Sequence, residues 1–554
     1  SESIAASKPK SKKKKKKKSK AGGVSSTANQ VEVGLDQGLE ELALDVSSSK
    51  PKQRGKSNAD NVKTDGEVNK QHPPSILQVD PKFLNPENEL RRIFGSKVVR
   101  SFEKSSQASS SRQIRGGRRG VLHTRKTVLV SPSEYWPRWD GSLSMELLES
   151  KSGYHYFRYV HSSTYDQAQR TFEAAKAMHD LNGIASILIH YPYHLDSLIT
   201  MADYFKFVGE HQMSAEAVAK TLYALECAWH PMFTVMQGNC QLKFTHESNK
   251  PLFTTLFTHM KNLDRRGCHR SALEVCKLLL SLDVDDPMGA LFCIDYFALR
   301  AEEYAWLERF SESYQSDNSL WLFPNFSYSL AICRLFLARE ELSSNSRNTA
   351  KATSGDLMKQ ALMLHPYVLK SLVAKVPLKD RSWSDILSNS FFRSEKTGSP
   401  TLDHLINIYV EKSYIMWRLP DLQKLLREAA LEVVKMLEQD STEAKDWACA
   451  RKEAFSSENN EYSHLLVSDF SDTVATLPPE NLQNFMVDPQ MREVEQNGIE
   501  NDNIDHGAPA PRDVANRNPF AVLFESMLPW VVYEPREDGE DHEENHEHEQ
   551  DDMN

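Results

Sequence analysis

The sequence predicts a mainly α-helical protein, an irregular tetratricopeptide-like α-solenoid with long disordered N- and C-terminal arms. Three observations lead there. Between about residues 160 and 440, apolar side chains recur at helical spacing in successive units that close on prolines. Lys12, Lys13, Lys14, Lys15, Lys16, Lys17 and Lys18 form an unbroken basic run, whereas Glu, Asp and His dominate the last twenty residues. Like charges in such runs repel one another and stay solvated, so both ends are expected to be disordered. No Walker loop, G-x-S-x-G, H-E-x-x-H or dinucleotide fingerprint accompanies this layout. It therefore points to a non-enzymatic molecule that arranges other macromolecules, with no cofactor and no small-molecule substrate.

With 554 residues the chain could hold three or four domains, and its net charge of -10 hides a strong polarity. Six segments are expected. Residues 1–79 form a basic arm rich in Lys, Ser, Gly and Asn, with a weak amphipathic turn at 38–46. Residues 80–160 hold a short helix, a basic linker and a Trp-containing segment. Residues 161–440 form the helical repeats, and 441–515 a mostly disordered linker. Residues 516–531 form an amphipathic helix, and 532–554 an acidic tail. The chain opens on Ser1 rather than Met, and we expect further sequence before it.

Order is expected to begin at Asp80. Asn85 suits an N-cap and Pro86 the first helical position, Leu90, Ile93 and Phe94 give an apolar face, and Gly95 ends the helix. Arg112, Arg115, Arg118 and Arg119 follow, spaced by Gly116 and Gly117. They suit either a pliant segment tracking an RNA backbone or a plain charged linker. Thr127–Val130 reads as a short strand or extended piece. For Trp136 and Trp139, packing on the first repeat is expected over base stacking.

From Thr164 the helical period takes over, with Tyr165, Ala168, Phe172, Ala175 and His179 on one face. Imperfect repeats then close at Pro192, Pro231, Pro287 and Pro366, with Pro324 between the last two. The clearest unit places Gly209 at a turn between helices bearing Leu195, Leu198, Ala202, Tyr204 and Phe205 and then Ala217, Leu222, Ala224 and Leu225. The next repeats the scheme with Gly267 at the turn. Ser343–Ser354 reads as an insertion. His190, His230 and His365 are expected at helix C-termini, interacting with the dipole.

Seven cysteines, irregularly spaced and without C-x-x-C, imply a reducing compartment, cytosol or nucleus. Cys268, His269 and Cys276 invite a zinc reading, but Cys276 lies among leucines at mid-helix and reads as a core thiol. No metal site is expected. Nor does any run approach the roughly eighteen apolar residues of a membrane span. The island from Asn518 to Trp530 is different. Phe520, Leu523, Phe524, Met527 and Leu528 line one helical face, with Trp530 beyond, and must bury that face on the solenoid or on a partner.

Four stretches carry a family resemblance: DPKFLNPENELRRIFGSKVV (80–99), RKTVLVSPSEYWPRW (125–139), FRYVHSSTYDQAQRTFEAAKAMHD (157–180) and NPFAVLFESMLPW (518–530). Occurring in this order, they resemble the transcription factor 25 family, also called nuclear localised protein 1, which includes ribosome quality control complex subunit 1. The resemblance implies a non-catalytic component of ribosome-associated quality control. Such a protein would bind the large ribosomal subunit, act with a listerin-type E3 ubiquitin ligase and ubiquitin, and help recruit the segregase that extracts stalled chains. Lys12 to Lys18 would then grip ribosomal RNA phosphates or serve nuclear import. The rival reading is a nuclear transcriptional co-regulator working through protein contacts. A basic helix-loop-helix description of the family is not supported, because the lysines run into Ala21-Gly22-Gly23, a helix breaker with no paired heptads after it. Lysine alone also lacks the bidentate reach needed to read bases.

Overall fold

Prolines behind capping side chains start the first elements of the computed structural model. It describes residues 76–99, 127–133, 136–314, 319–343, 352–378, 380–394, 396–439 and 442–471, together with 482 and 485. Helix α1 (Pro81–Leu84) begins after Asp80, whose side chain accepts the Lys82 N–H, and α2 (Pro86–Phe94) after Asn85, which accepts the Glu87 N–H. Gly95 ends α2 at φ 81°, as the sequence predicts. Thr127–Val130 makes no sheet ladder.

A β-hairpin that the sequence analysis does not anticipate comes next. Strands β1 (Leu143–Lys151) and β2 (Tyr154–His161) pair antiparallel around Ser152 and Gly153, both at positive φ. Such a pair of residues gives the turn twist that two-residue hairpins need. Strand β3 (Cys240–Leu242) adds parallel to β2. Phe157 and Tyr159 anchor the hairpin in the core.

The helices then stack as sequential neighbours. The first are α3 (Ser163–Ala177), α4 (Leu181–His190), α5 (Leu195–Phe207) and α6 (His211–Cys227). Ser162, Asp180 and His194 cap α3, α4 and α5, each accepting a backbone N–H of the first turn. Gly209 turns α5 into α6 at φ 84°, which only glycine adopts without strain. Gly267 repeats this between α7 (Lys250–Arg265) and α8 (His269–Leu282). Beyond lie α9 (Ile294–Arg300), α10 (Tyr304–Ser313), α11 (Pro324–Ser343) and α12 (Ser354–Leu364). The shorter α13 (Tyr367–Lys375), α14 (Ser382–Ser388) and α15 (Ser390–Arg393) lead to α16 (Pro400–Ser413) and α17 (Pro420–Glu438). Packing runs largely between successive helices, α5 on α6, α6 on α7, α7 on α8, α10 on α11 and α11 on α12, while α12 also lies against α17 and α13 against α16. This nearest-neighbour order makes the protein mainly α and solenoid-like. Most of it shares one continuous core, and a smaller cluster sits among α3, α4 and α5.

Order continues past residue 440, where a linker is expected. Helix α18 (Glu443–Ala454) packs on α12, and a 3-10 turn at Val467–Phe470 packs on α16. The signal is faint because α18 buries only Ala444, while Phe455, Leu465 and Phe470 reach the core from irregular positions. At Gly289 (φ 68°) an added Cβ would lie 2.6 Å from Leu465 Cδ1 and 3.1 Å from Phe470 Cζ. Gly289→Ala is therefore expected to destabilise the fold by about 1–3 kcal/mol, through crowding and a strained φ. A urea titration monitored by tryptophan fluorescence checks this, since an unchanged midpoint would mean the 460–470 segment gives way freely.

Candidate docking surfaces

Buried carboxylates hold the N-terminal segments against the helices. Glu89, on α2, accepts the N–H groups of Arg270 and Ser271 at 3.0 and 2.8 Å. Helix α8 has no side-chain cap from its own preceding residue, so a residue far away in sequence fills that role. Glu274, fully buried on α8, accepts the Asp80 N–H at 2.8 Å and meets Lys277 at 2.8 Å and Arg270 at 3.0 Å. The Arg270 guanidinium also lies 4.8 Å from the centre of the Phe83 ring and pairs with Glu303.

The same device recurs on α6. Its buried Glu226 accepts the N–H groups of both Val128 and Leu129, the latter at 3.1 Å. A carboxylate in the last helical turn is disfavoured by the dipole. Two main-chain donors supply the compensation, and they fix the 127–130 segment in register. Trp136 donates to Glu216 and packs 5.4 Å from Tyr223, while Trp139 meets Tyr193 edge-on at 5.3 Å. Asn85 Nδ2 donates to Ser131 Oγ at 2.8 Å, which ties the two N-terminal segments together.

A C-terminal strap runs back along the stack. Arg451 donates to the Leu364 carbonyl at 2.7 Å and the Met363 carbonyl at 3.3 Å, satisfying the end of α12. Thr401 brackets the Asn459 carbonyl and the Glu461 N–H, and a ring nitrogen of His404 meets the Leu465 carbonyl at 2.9 Å. Tyr462 packs on Phe292, Phe470 on Phe257, and Asp469 pairs with Lys261 at 3.4 Å. Leu482 and Phe485 then join the cluster of α3, α4 and α5.

With this geometry the chain matches the family model described as Transcriptional repressor TCF25 over residues 157–490, more than half its length. The chain belongs to that family. It is 32% identical to the Homo sapiens protein named Ribosome quality control complex subunit TCF25, over 73% of this chain and 59% of that one. The Dictyostelium discoideum protein of the same name is 26% identical over 75% and 64%. Ribosome quality control complex subunit 1 of Schizosaccharomyces pombe is 30% identical over 61% and 50%. The chain thus spans between half and two thirds of these relatives' lengths. No solved structure matches it. The TCF25 match opens inside β2 and closes beyond Phe485, so it takes in the helix stack and the C-terminal strap together.

The residues expected to bind RNA and the ribosome (Lys12 to Lys18, Arg115, Arg118, Arg119) lie outside the described residues. So do those expected to bind a partner (Phe520, Leu523, Phe524, Met527, Leu528, Trp530). Leu90 packs toward the core as expected of its face, but Ile93 and Phe94 are exposed. A recess of about 230 Å³ lined by Leu148, Glu149, Tyr156, Phe157, Lys243 and His246 lies beside the hairpin. It is smaller than the roughly 300–1,000 Å³ of typical ligand pockets. Among the described residues no group of His, Cys, Asp or Glu is placed to hold a metal, and no helix is long and apolar enough to cross a membrane.

Shifted titratable groups in this TCF25 member serve packing. Burial pushes the Cys268 thiol up to about 11 and Cys276 well above its usual value. Burial would also raise Asp264, but His269 at 3.1 Å and Lys412 at 2.6 Å outweigh it and hold the carboxyl below its usual range, joining α7 to α16. His365 departs from its expected dipole role. Its ring lies in the core, with Nε2 2.7 Å from the Leu322 carbonyl, and burial lowers its pKa to about 3. Burial likewise lowers His194 and His259 to about 4. A depressed histidine stabilises the fold fully above its ordinary 6.5 and loses that contribution as pH falls toward the folded value. The thermal midpoint is therefore expected to drop steadily from pH 6.5 to 4, with a shallower slope in His259→Leu. Calorimetry across that window checks it, a flat profile being the contrary result.

Proposed function

We propose that this chain is a non-catalytic scaffold of the ribosome-associated quality control complex. The reading rests on the names of its relatives, which in human, Dictyostelium and fission yeast alike are those of a subunit of that complex. The helix stack supports it, because its buried carboxylates, histidines and core thiols are committed to holding segments and packing helices. In this account Lys12 to Lys18, with Arg115, Arg118 and Arg119, engage phosphates of the large ribosomal subunit. The solenoid and the Phe520–Trp530 island present surfaces to the E3 ligase, ubiquitin and the segregase, promoting degradative ubiquitination and extraction of stalled chains. The protein then works in cytosol and nucleus.

One observation favours a second reading, a nuclear transcriptional co-regulator acting through protein contacts. The family model itself carries the description of a transcriptional repressor.

Sedimentation of lysate through a salt series separates the two. The scaffold reading predicts co-migration with large subunits at low salt, lost when Lys12 to Lys18 are replaced by Gln. Engagement of six to ten phosphates would weaken binding by about 10³–10⁵-fold between 50 and 200 mM salt. A chain confined to nuclear, ribosome-free fractions at every salt concentration would favour the co-regulator instead.

A further inference from the structure

The recess beside the hairpin brings together side chains from three parts of the sheet. Leu148 and Glu149 come from β1, Tyr156 and Phe157 from β2, and Lys243 and His246 from the chain just beyond β3. A bulge shapes it. The pairing of β1 with β2 shifts register between Leu147 and Glu149, which leaves Leu148 without a cross-strand partner and 42% exposed. Such an extra residue re-aims the side chains around it. Phe157 is buried and supplies an apolar floor.

Charges around the recess do not cancel. Lys243 meets two carboxylates, Asp283 at 2.7 Å and Asp285 at 3.6 Å. On the same face of the hairpin Arg158 pairs with Glu146, and in the following turn Lys250 pairs with Glu247. Glu149 has no such partner. Among the described residues its exposed carboxylate makes neither an ion pair nor a hydrogen bond, and Lys151, across from Tyr154 at the hairpin turn, does not pair with it. The surplus is negative. An unpaired carboxylate, a tyrosine ring and an apolar floor are the contacts a long basic side chain uses, its stem on apolar surface and its head on ring and anion. A volume of about 230 Å³ suits one such side chain.

Access to the recess is open as well. Strand β1 is an edge of the sheet, its end at 148–151 is exposed, and among the described residues its main chain bonds only within the hairpin. We propose that the recess is a docking site for a basic side chain, arginine above all, carried by an extended partner peptide lying along this end of β1. Arginine fits best because a planar guanidinium can stack on the Tyr156 ring while its fork meets the Glu149 carboxylate. The chain's own run from Lys12 to Lys18 is a poorer occupant, since lysines in unbroken succession do not favour a strand.

The test uses the full chain and a short fluorescein-labelled Thr/Val peptide with one central arginine, followed by anisotropy. The comparison peptide carries citrulline there, which keeps the shape and loses the charge. The arginine peptide is expected to bind at least about tenfold more tightly than the citrulline peptide. Glu149→Gln is expected to bring the two within about twofold of each other. Because Glu149 is exposed, the variant's circular dichroism and thermal melt are expected to match those of the unaltered chain. Equal binding of the two peptides, binding of neither, or an undiminished preference in Glu149→Gln overturns the proposal. So does tighter binding of both peptides once Lys12 to Lys18, Arg115, Arg118 and Arg119 are replaced by Gln, because the chain's own basic stretches would then hold the recess.

Discussion

A glutamate buried against main-chain N–H groups from a remote part of the sequence is the interaction on which this architecture depends. Glu89, Glu226 and Glu274 each accept backbone donors 97 to 194 positions away. An ionised carboxylate taken out of water is costly unless hydrogen-bonded, and a buried N–H without an acceptor is costly too. Each contact resolves both problems at once, and neither partner can leave without exposing the other. The result is directional. Where apolar packing alone would let a segment slide, two N–H groups on one carboxylate fix which residues lie against which helix.

That matters because a helix stack is otherwise a nearest-neighbour structure, each helix stabilised by those beside it. The N-terminal segments bridge α6, α8 and α10, the last through the Trp306 indole and the Ile76 carbonyl at 3.2 Å. The C-terminal strap bridges α12, α16 and α7, helped by the buried Asp264–Lys412 pair. Long-range clasps of this kind turn a row of local units into one cooperative body. The match to the TCF25 family extends across the strap as well as the helices.

How much of this is legible in the sequence depends on which physical signal each part carries. The helix pairs announce themselves, since Gly209 and Gly267 sit at left-handed turns and the prolines stand at or near helix ends. The hairpin does not, because Leu143–Lys151 is rich in Leu, Met and Glu, whose helical preference is overridden by pairing with the aromatic β2 strand. Strap contacts are harder still. Phe455, Leu465 and Phe470 form no period, and Leu482 stands alone among polar residues while Phe485 opens a run of only three apolar residues. One signal was available for the buried carboxylates. Glu226 and Glu274 lie in Ala-Leu-Glu-Cys-Ala and Ala-Leu-Glu-Val-Cys, each a single charge within an apolar run. Such a charge must find donors, though its local sequence does not say where. The basic and apolar residues singled out for binding belong to stretches with no helical partner in the pattern, so nothing in the sequence fixes their place.

The most direct measurement is native-state hydrogen exchange on Glu226→Ala beside the unaltered chain. If the carboxylate holds the segment, Val128 and Leu129 amides lose their protection and the 127–139 segment exchanges faster, while α3 and α4 stay protected. Unchanged protection at Val128 and Leu129 would contradict the account, because the segment would then be held by apolar contact alone.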